Sequence, residues 1–139
     1  MKKIIILCFL FIPFVFLGQN KQTKPVAKPQ FKLAFVDESG SIQFETHGGT
    51  ARLDTLLKYN TVILDNPNLS IVSFSFSVIA GSQNTLYLIS SNSDKLPAET
   101  IYLKKKDNIK KIIIDNITVK SKDGKTTKFN TPLILKVIP

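Results

Sequence analysis

The sequence predicts an all-β fold, a β-sandwich of about seven strands with one or two short helices. Three observations carry that expectation. Residues 71–79 read IVSFSFSVI, so Val72, Phe74, Phe76 and Val78 alternate with Ser73, Ser75 and Ser77. Short β-prone segments recur along the chain between turn signals. Asp123-Gly124, the strongest local hairpin signal present, lies between two of them. A two-residue period puts the four apolar side chains of residues 71–79 on one face of a strand. Burying them contributes roughly 1.5–3 kcal/mol each. The rest of the chain is expected to cover this strand.

The 139 residues suit one domain, expected over residues 31–139. At that size a fold buries roughly two thirds of its unfolded surface, so neither a metal nor a disulfide is required. Hydrophobic residues make up 43% of the chain, too many for a disordered one.

Residues 1–18 resemble a signal peptide. Lys2 and Lys3 form a basic start, residues 4–17 are apolar, and Gly18 precedes a polar stretch. The apolar run falls short of the ~20 residues of a spanning helix, although an uncleaved anchor is the alternative. Phe16 is bulky for a residue just before a cut, which leaves the cleavage position open. Cys8, the only cysteine, lies inside the run and not at its end, so a lipoprotein is not expected. Cleavage would leave no thiol for catalysis, disulfides or metals. The net charge of +9 falls by two if Lys2 and Lys3 are removed, and still favours acidic partners or surfaces.

Residues 19–30 carry Pro25 and Pro29 in a polar stretch and read as an extended linker. Phe31, Leu33 and Phe35 alternate in a first strand, and Ile42 and Phe44 in a second. Glu38-Ser39-Gly40 between them is turn chemistry, consistent with a hairpin. Gly48-Gly49 suggests backbone angles that side chains forbid. Leu53, Leu56 and Leu57 recur at helical spacing, so a short helix is expected over residues 51–58 with Thr50 as its cap. Residues 61–64 form a strand bounded by Asp65-Asn66-Pro67-Asn68. Residues 85–90 form another after the central strand. Residues 96–106 read as a short helix with Pro97 in its first turn and Lys104, Lys105 and Lys106 at its end. In residues 111–119 the apolar parity changes between Ile114 and Ile117, which a β-bulge at Asp115-Asn116 explains. After the Asp-Gly turn, residues 126–138 supply a return strand with Leu133, Leu135 and Val137 on one face. Pro132 is expected at a sheet edge or a bulge.

The succession GGTARLDTLLKYNTVILDN, IVSFSFSVIAG and SSNSDKLPAETIYLKKKDNIKKIIIDNITVKSKDGKTTKFNTPLILKV is similar to the C-terminal domain of GldM, a protein of gliding motility and type IX secretion. Gly48, Gly49, Phe74, Phe76, Asp115, Asn116, Ile117, Asp123 and Gly124 carry the match, which runs from about Gly48 to the end. The resemblance implies an immunoglobulin-like β-sandwich, a periplasmic location and a source in the Bacteroidetes. It also implies contact with partner proteins of the gliding and secretion machinery near the outer membrane. The family's transmembrane helix and earlier periplasmic domains have no counterpart in the matched segment, so torque transmission is not implied.

The residues do not assemble into a reaction centre, and neither an enzyme nor a cofactor is expected. His47, the only histidine, reads as an exposed turn residue, since one histidine without cysteine partners makes a poor metal site. Many serines are present, but nothing marks His47 as the base of a triad. Asp37, Glu38 and Glu45 read as solvated turn acids, because no calcium-binding loop pattern contains them. Gly48-Gly49 lacks the lysine and spacing of a phosphate loop. The candidate interaction surface is the basic run Lys104, Lys105, Lys106, Lys110 and Lys111. It suits an acidic protein, an anionic glycan or a lipid headgroup. A solvated helix end is the plainer reading of the same lysines. Nucleic acid is not expected, since only Tyr102 interleaves with them. The function expected is a non-enzymatic, exported, periplasmic module that binds another envelope protein. The alternative is a small carbohydrate- or lipid-binding protein using the lysines.

Overall fold

A computed structural model describes residues 28–139. The expected signal peptide and nearly all of the expected linker lie outside the described residues. The described chain is mostly β. Its strands are β1 (Phe31–Val36), β2 (Ile42–Thr46), β3 (Gly49–Arg52), β4 (Thr61–Leu64), β5 (Leu69–Ala80), β6 (Thr85–Ser91), β7 (Ile109–Ser121), β8 (Thr126–Phe129) and β9 (Leu133–Ile138). Two short helices, α1 (Leu53–Leu56) and α2 (Thr100–Lys104), interrupt them. One sheet has the order β2-β1-β4. The other has the order β3-β9-β7-β5-β6, with β8 also paired to β7.

Residues of both sheets meet in one core. Leu33 and Val62 from the smaller sheet join Phe74, Phe76, Val78, Ile112, Ile114, Ile117 and Leu135 from the larger. The phenylalanine strand holds the expected position, with β7 on one side of it and β6 on the other. Its face differs from the expectation at one end. Phe74, Phe76 and Val78 are buried, but Val72 is 37% exposed. The pairing passes from Ile71↔Val119 to Ser73↔Thr118, so Val72 is an extra residue on β5. That bulge breaks the alternation, and Ile71 packs against the core instead.

The parity change in β7 is a bulge, as expected. Pairing passes from Ser73↔Thr118 to Ser75↔Asp115, and Asn116 has φ +51°. Both Ile114 and Ile117 therefore reach the interior. The Asp-Gly turn closes β7 onto β8. The return strand is split. β8 pairs with Ile117–Lys120 and β9 with Lys111–Ile114, with Pro132 in the break between them.

The first hairpin forms too, with β1 antiparallel to β2. Asp37 Oδ1 accepts from the backbone N–H groups of Ser39 and Ser41, each at 2.9 Å, and its Oδ2 accepts from Gln43. The Ser39 hydroxyl and those N–H groups hold the Asp37 carboxyl below the usual carboxylate range.

Both helices are shorter than expected. Residues 49–52 form β3, a parallel partner of β9, so Thr50 and Ala51 are in a sheet and Thr50 caps nothing. Ladder bonds to a neighbouring strand outweigh the weak local preference of so short a helix. Leu96, expected at the start of the second helix, donates its N–H to Asn60 O at 2.9 Å beside β4. Thr100 closes a turn on Pro97 O before α2 begins.

The segment between the sheets depends on its glycines. Gly48 has φ +118° and Gly49 φ +89°, and a Cβ on Gly48 would lie 2.9 Å from the carbonyl oxygen of Ile134 in β9. Here the chain leaves β2 of the smaller sheet and joins β9 of the larger as β3.

Candidate functional site

The expected basic surface divides in the structure. Lys105, Lys106 and Lys110 are exposed and Lys111 is half-buried. Lys104 is not part of the surface. It is 3% exposed, and its Nζ donates to the carbonyl oxygen of Tyr59. The short α2 turns this lysine under the loop before β4, and its long apolar stem is what makes that burial feasible. Lys106 Nζ lies 5.0 Å from the centre of the Tyr87 ring, beside β6. Lys110 Nζ donates to Asn84 Oδ1 at 2.7 Å, at the start of β6. Lys111 stands opposite Lys136 of β9. Lys106, Lys110 and Lys111 thus lie at one end of the larger sheet.

The larger sheet also has an apolar outer face. Residues paired across strands share a face. One row runs Leu88↔Ser77↔Ile113↔Ile134 across β6, β5, β7 and β9. The next runs Leu86↔Ile79↔Lys111↔Lys136. Leu86 is 59% exposed, Leu88 61% and Ile134 41%, while Ile79 and Ile113 are half-buried. The core lies on the opposite face, and Ser77, between Leu88 and Ile113, is itself buried. The result is an apolar centre with lysines along one border.

Sequence reasoning missed this face. A signal was present: Ile112, Ile113 and Ile114 are consecutive, and a strand with one wet face should alternate. Leu86 and Leu88 in TLYLIS carried the same information.

His47 is exposed and lines a groove of about 410 Å³ with Phe31, Phe129, Pro132 and Leu133. Among the described residues, Lys28 is the other titratable group there, and no carboxylate lines it. Among the described residues, no group of three histidine, cysteine, aspartate or glutamate side chains is placed to hold a metal. No described helix is long and apolar enough to cross a membrane. Glu38 and Glu45 are exposed, and Glu45 pairs with Lys32 within the first hairpin.

No family model matches this chain, and no curated protein matches it.

Proposed function

We propose that this chain is a non-enzymatic, exported module that binds another protein of the bacterial envelope. We take its fold to be an immunoglobulin-like β-sandwich related to the C-terminal domain of GldM. The observation that carries the binding role is the outer face of the larger sheet. Leu86, Leu88, Ile79, Ile113 and Ile134 share this face around the buried Ser77, and Leu86, Leu88 and Ile134 are exposed. A contiguous apolar patch with a polar border is the usual form of a protein-binding surface. Two sheets around one core and the predominance of antiparallel hairpins support the sandwich. The order of the motifs from Gly48 onward supports the kinship. The apolar run and basic start of residues 1–18 support export.

The test is recovery from the native envelope under mild crosslinking, comparing the natural chain with Leu88→Asp and Ile134→Asp. The natural chain should bring down a defined partner that both variants lose while staying folded. Recovery of the natural chain only as a free monomer would remove the basis of this function.

A second function has support from one feature. Leu53, Gly81, Asn108, Ile138, Lys110 and Lys136 line an open groove of about 570 Å³ with apolar walls and two ammonium groups. An anionic lipid or glycan suits that chemistry. Lys110→Glu with Lys136→Glu should abolish retention on anionic lipid vesicles if this is the role. Retention that survives both the changes and high salt would speak against it.

A further inference from the structure

We infer that β6 accepts an extended, acidic segment of the partner as an added strand. This rests on the protein-binding role above and specifies how the partner is held.

β6 ends the larger sheet, and among the described residues only β5 pairs with it. Its seven residues, TLYLISS, contain no proline and no charge, and its register with β5 has no bulge. Natural edges are normally guarded by shortness, charge, proline or bulges, because open N–H and C=O groups recruit further strands. The other edges of this fold have such guards. β3 is four residues long and holds Arg52. β4 is four residues long and is bridged at Thr61 by Lys95. β8 is four residues long and holds Lys128. β2 holds Glu45, and its pairing with β1 is irregular. Among the described edges, β6 alone combines length, regularity and an uncharged sequence.

The flanks of β6 select the occupant. Lys106 lies against Tyr87 on one side, and Lys110 is held at Asn84 where the strand begins. Lys105 is exposed beside Lys106, and Asp107 is the only acid among them. An added strand finds two lysines, Lys106 and Lys110, at the start of β6, and one, Lys128, in the groove with Ser90, Ser91 and Asn92 at its end. Antiparallel addition, the more stable arrangement per residue, places the C-terminal end of the incoming segment at the lysines. That segment therefore carries acidic residues near its C-terminal end. Its alternate side chains extend the apolar outer face beyond Leu86 and Leu88. Antiparallel pairing with a second copy is the poorer match. It sets the lysines at the start of β6 in each chain against Ser90, Ser91, Asn92 and Lys128 of the other, with no acidic partner, and brings together two basic chains.

The test uses the folded chain and synthetic peptides of about nine residues, the length of a typical strand with short flanks. One alternates threonine and valine and ends in two glutamates at its C-terminus. A second has lysines in place of the glutamates, and a third has the glutamates at its N-terminus. Amide hydrogen exchange across β6 and binding are both measured. The first peptide should bind and slow exchange within Thr85–Ser91. Lys106→Glu with Lys110→Glu should weaken it about tenfold, as loss of two exposed ion pairs and their reversal requires, and should favour the lysine peptide. Equal binding of all three peptides, or no slowing in β6, overturns the inference. So does β6 protection that rises with protein concentration alone, which would mark pairing between copies. If the peptides fail while Ile134→Asp still abolishes partner recovery, docking on the face stands without strand addition.

Discussion

The ammonium of Lys104 is buried and donates to the carbonyl oxygen of Tyr59, with no carboxylate paired to it among the described residues. One hydrogen bond thus joins α2 to the loop that enters β4. Burial holds the Lys104 pKa down to about 8, against 10.5 for a free lysine. Below about pH 8 the group is charged in both folded and unfolded chains, and the cost of burying it is present in full. Between about 8 and 10.5 the unfolded chain keeps a proton that the folded chain releases. Stability from this group therefore rises with pH across that window, by up to about 3 kcal/mol. Urea unfolding of the natural chain and Lys104→Met at pH 7, 8.5 and 10 isolates it. The natural chain should gain on the variant as pH rises. A constant difference would mean that the ammonium is solvated.

Gly48 and Gly49 both sit at positive φ, but only Gly48 faces a backbone oxygen at close range. Gly48→Ala should cost at least about 2 kcal/mol, from strained backbone angles plus displacement of β9 at Ile134. Gly40→Ala, with open space around its Cβ at φ +84°, should cost about 1–2 kcal/mol from the backbone alone. Denaturant midpoints of the two variants test the ranking. Equal losses would mean that the crossover between sheets can relax.

Phe76 and Val72 share the parity of one alternating run but not its environment. Phe76→Ala should cost about 3–5 kcal/mol, because it opens a cavity under the centre of the larger sheet. Val72→Ala should cost less than about 1 kcal/mol, since Val72 is the extra residue of a bulge and is partly in solvent. Thermal or urea unfolding of both separates them. A large loss at Val72 would mean that the strand is regular to its start.

These contrasts show what was legible in the sequence. Alternation in residues 71–79 identified the central strand, and the parity change at Asp115-Asn116 located the β7 bulge, because side-chain direction follows residue count within one strand. The β5 bulge at Val72 left no such mark, since Ile71 and Val72 are both apolar and either can face the core. β3 was hidden because its only partner among the described residues is β9, more than eighty residues away in the chain, and Leu53, Leu56 and Leu57 imitate a longer helix. Lys104 was misplaced for a related reason. A run of three lysines suggests a solvated end, and only the short turn of α2 draws the first of them inward. The apolar outer face was visible in Ile112-Ile113-Ile114 and in Leu86 and Leu88, but reading one strand at a time does not align them into a surface.

Asn116 adopts φ +51° within β7, a conformation that asparagine tolerates and β-branched residues resist. Asn116→Gly should be nearly neutral, whereas Asn116→Val should cost about 1–2 kcal/mol. Unfolding free energies decide. A neutral valine would mean that the bulge can move along the strand.

The outer face of the larger sheet bears the proposed function, and a photoreactive side chain placed there tests it directly. Position 134 lies on that face, whereas position 38 lies in the exposed turn of the first hairpin on the other sheet. Irradiated in its native cells, the chain labelled at 134 should form one discrete adduct with an envelope protein. Leu88→Asp should abolish that adduct without lowering the thermal midpoint. Absence of an adduct at 134, or an identical one from position 38, would contradict docking through Leu88, Ile113 and Ile134.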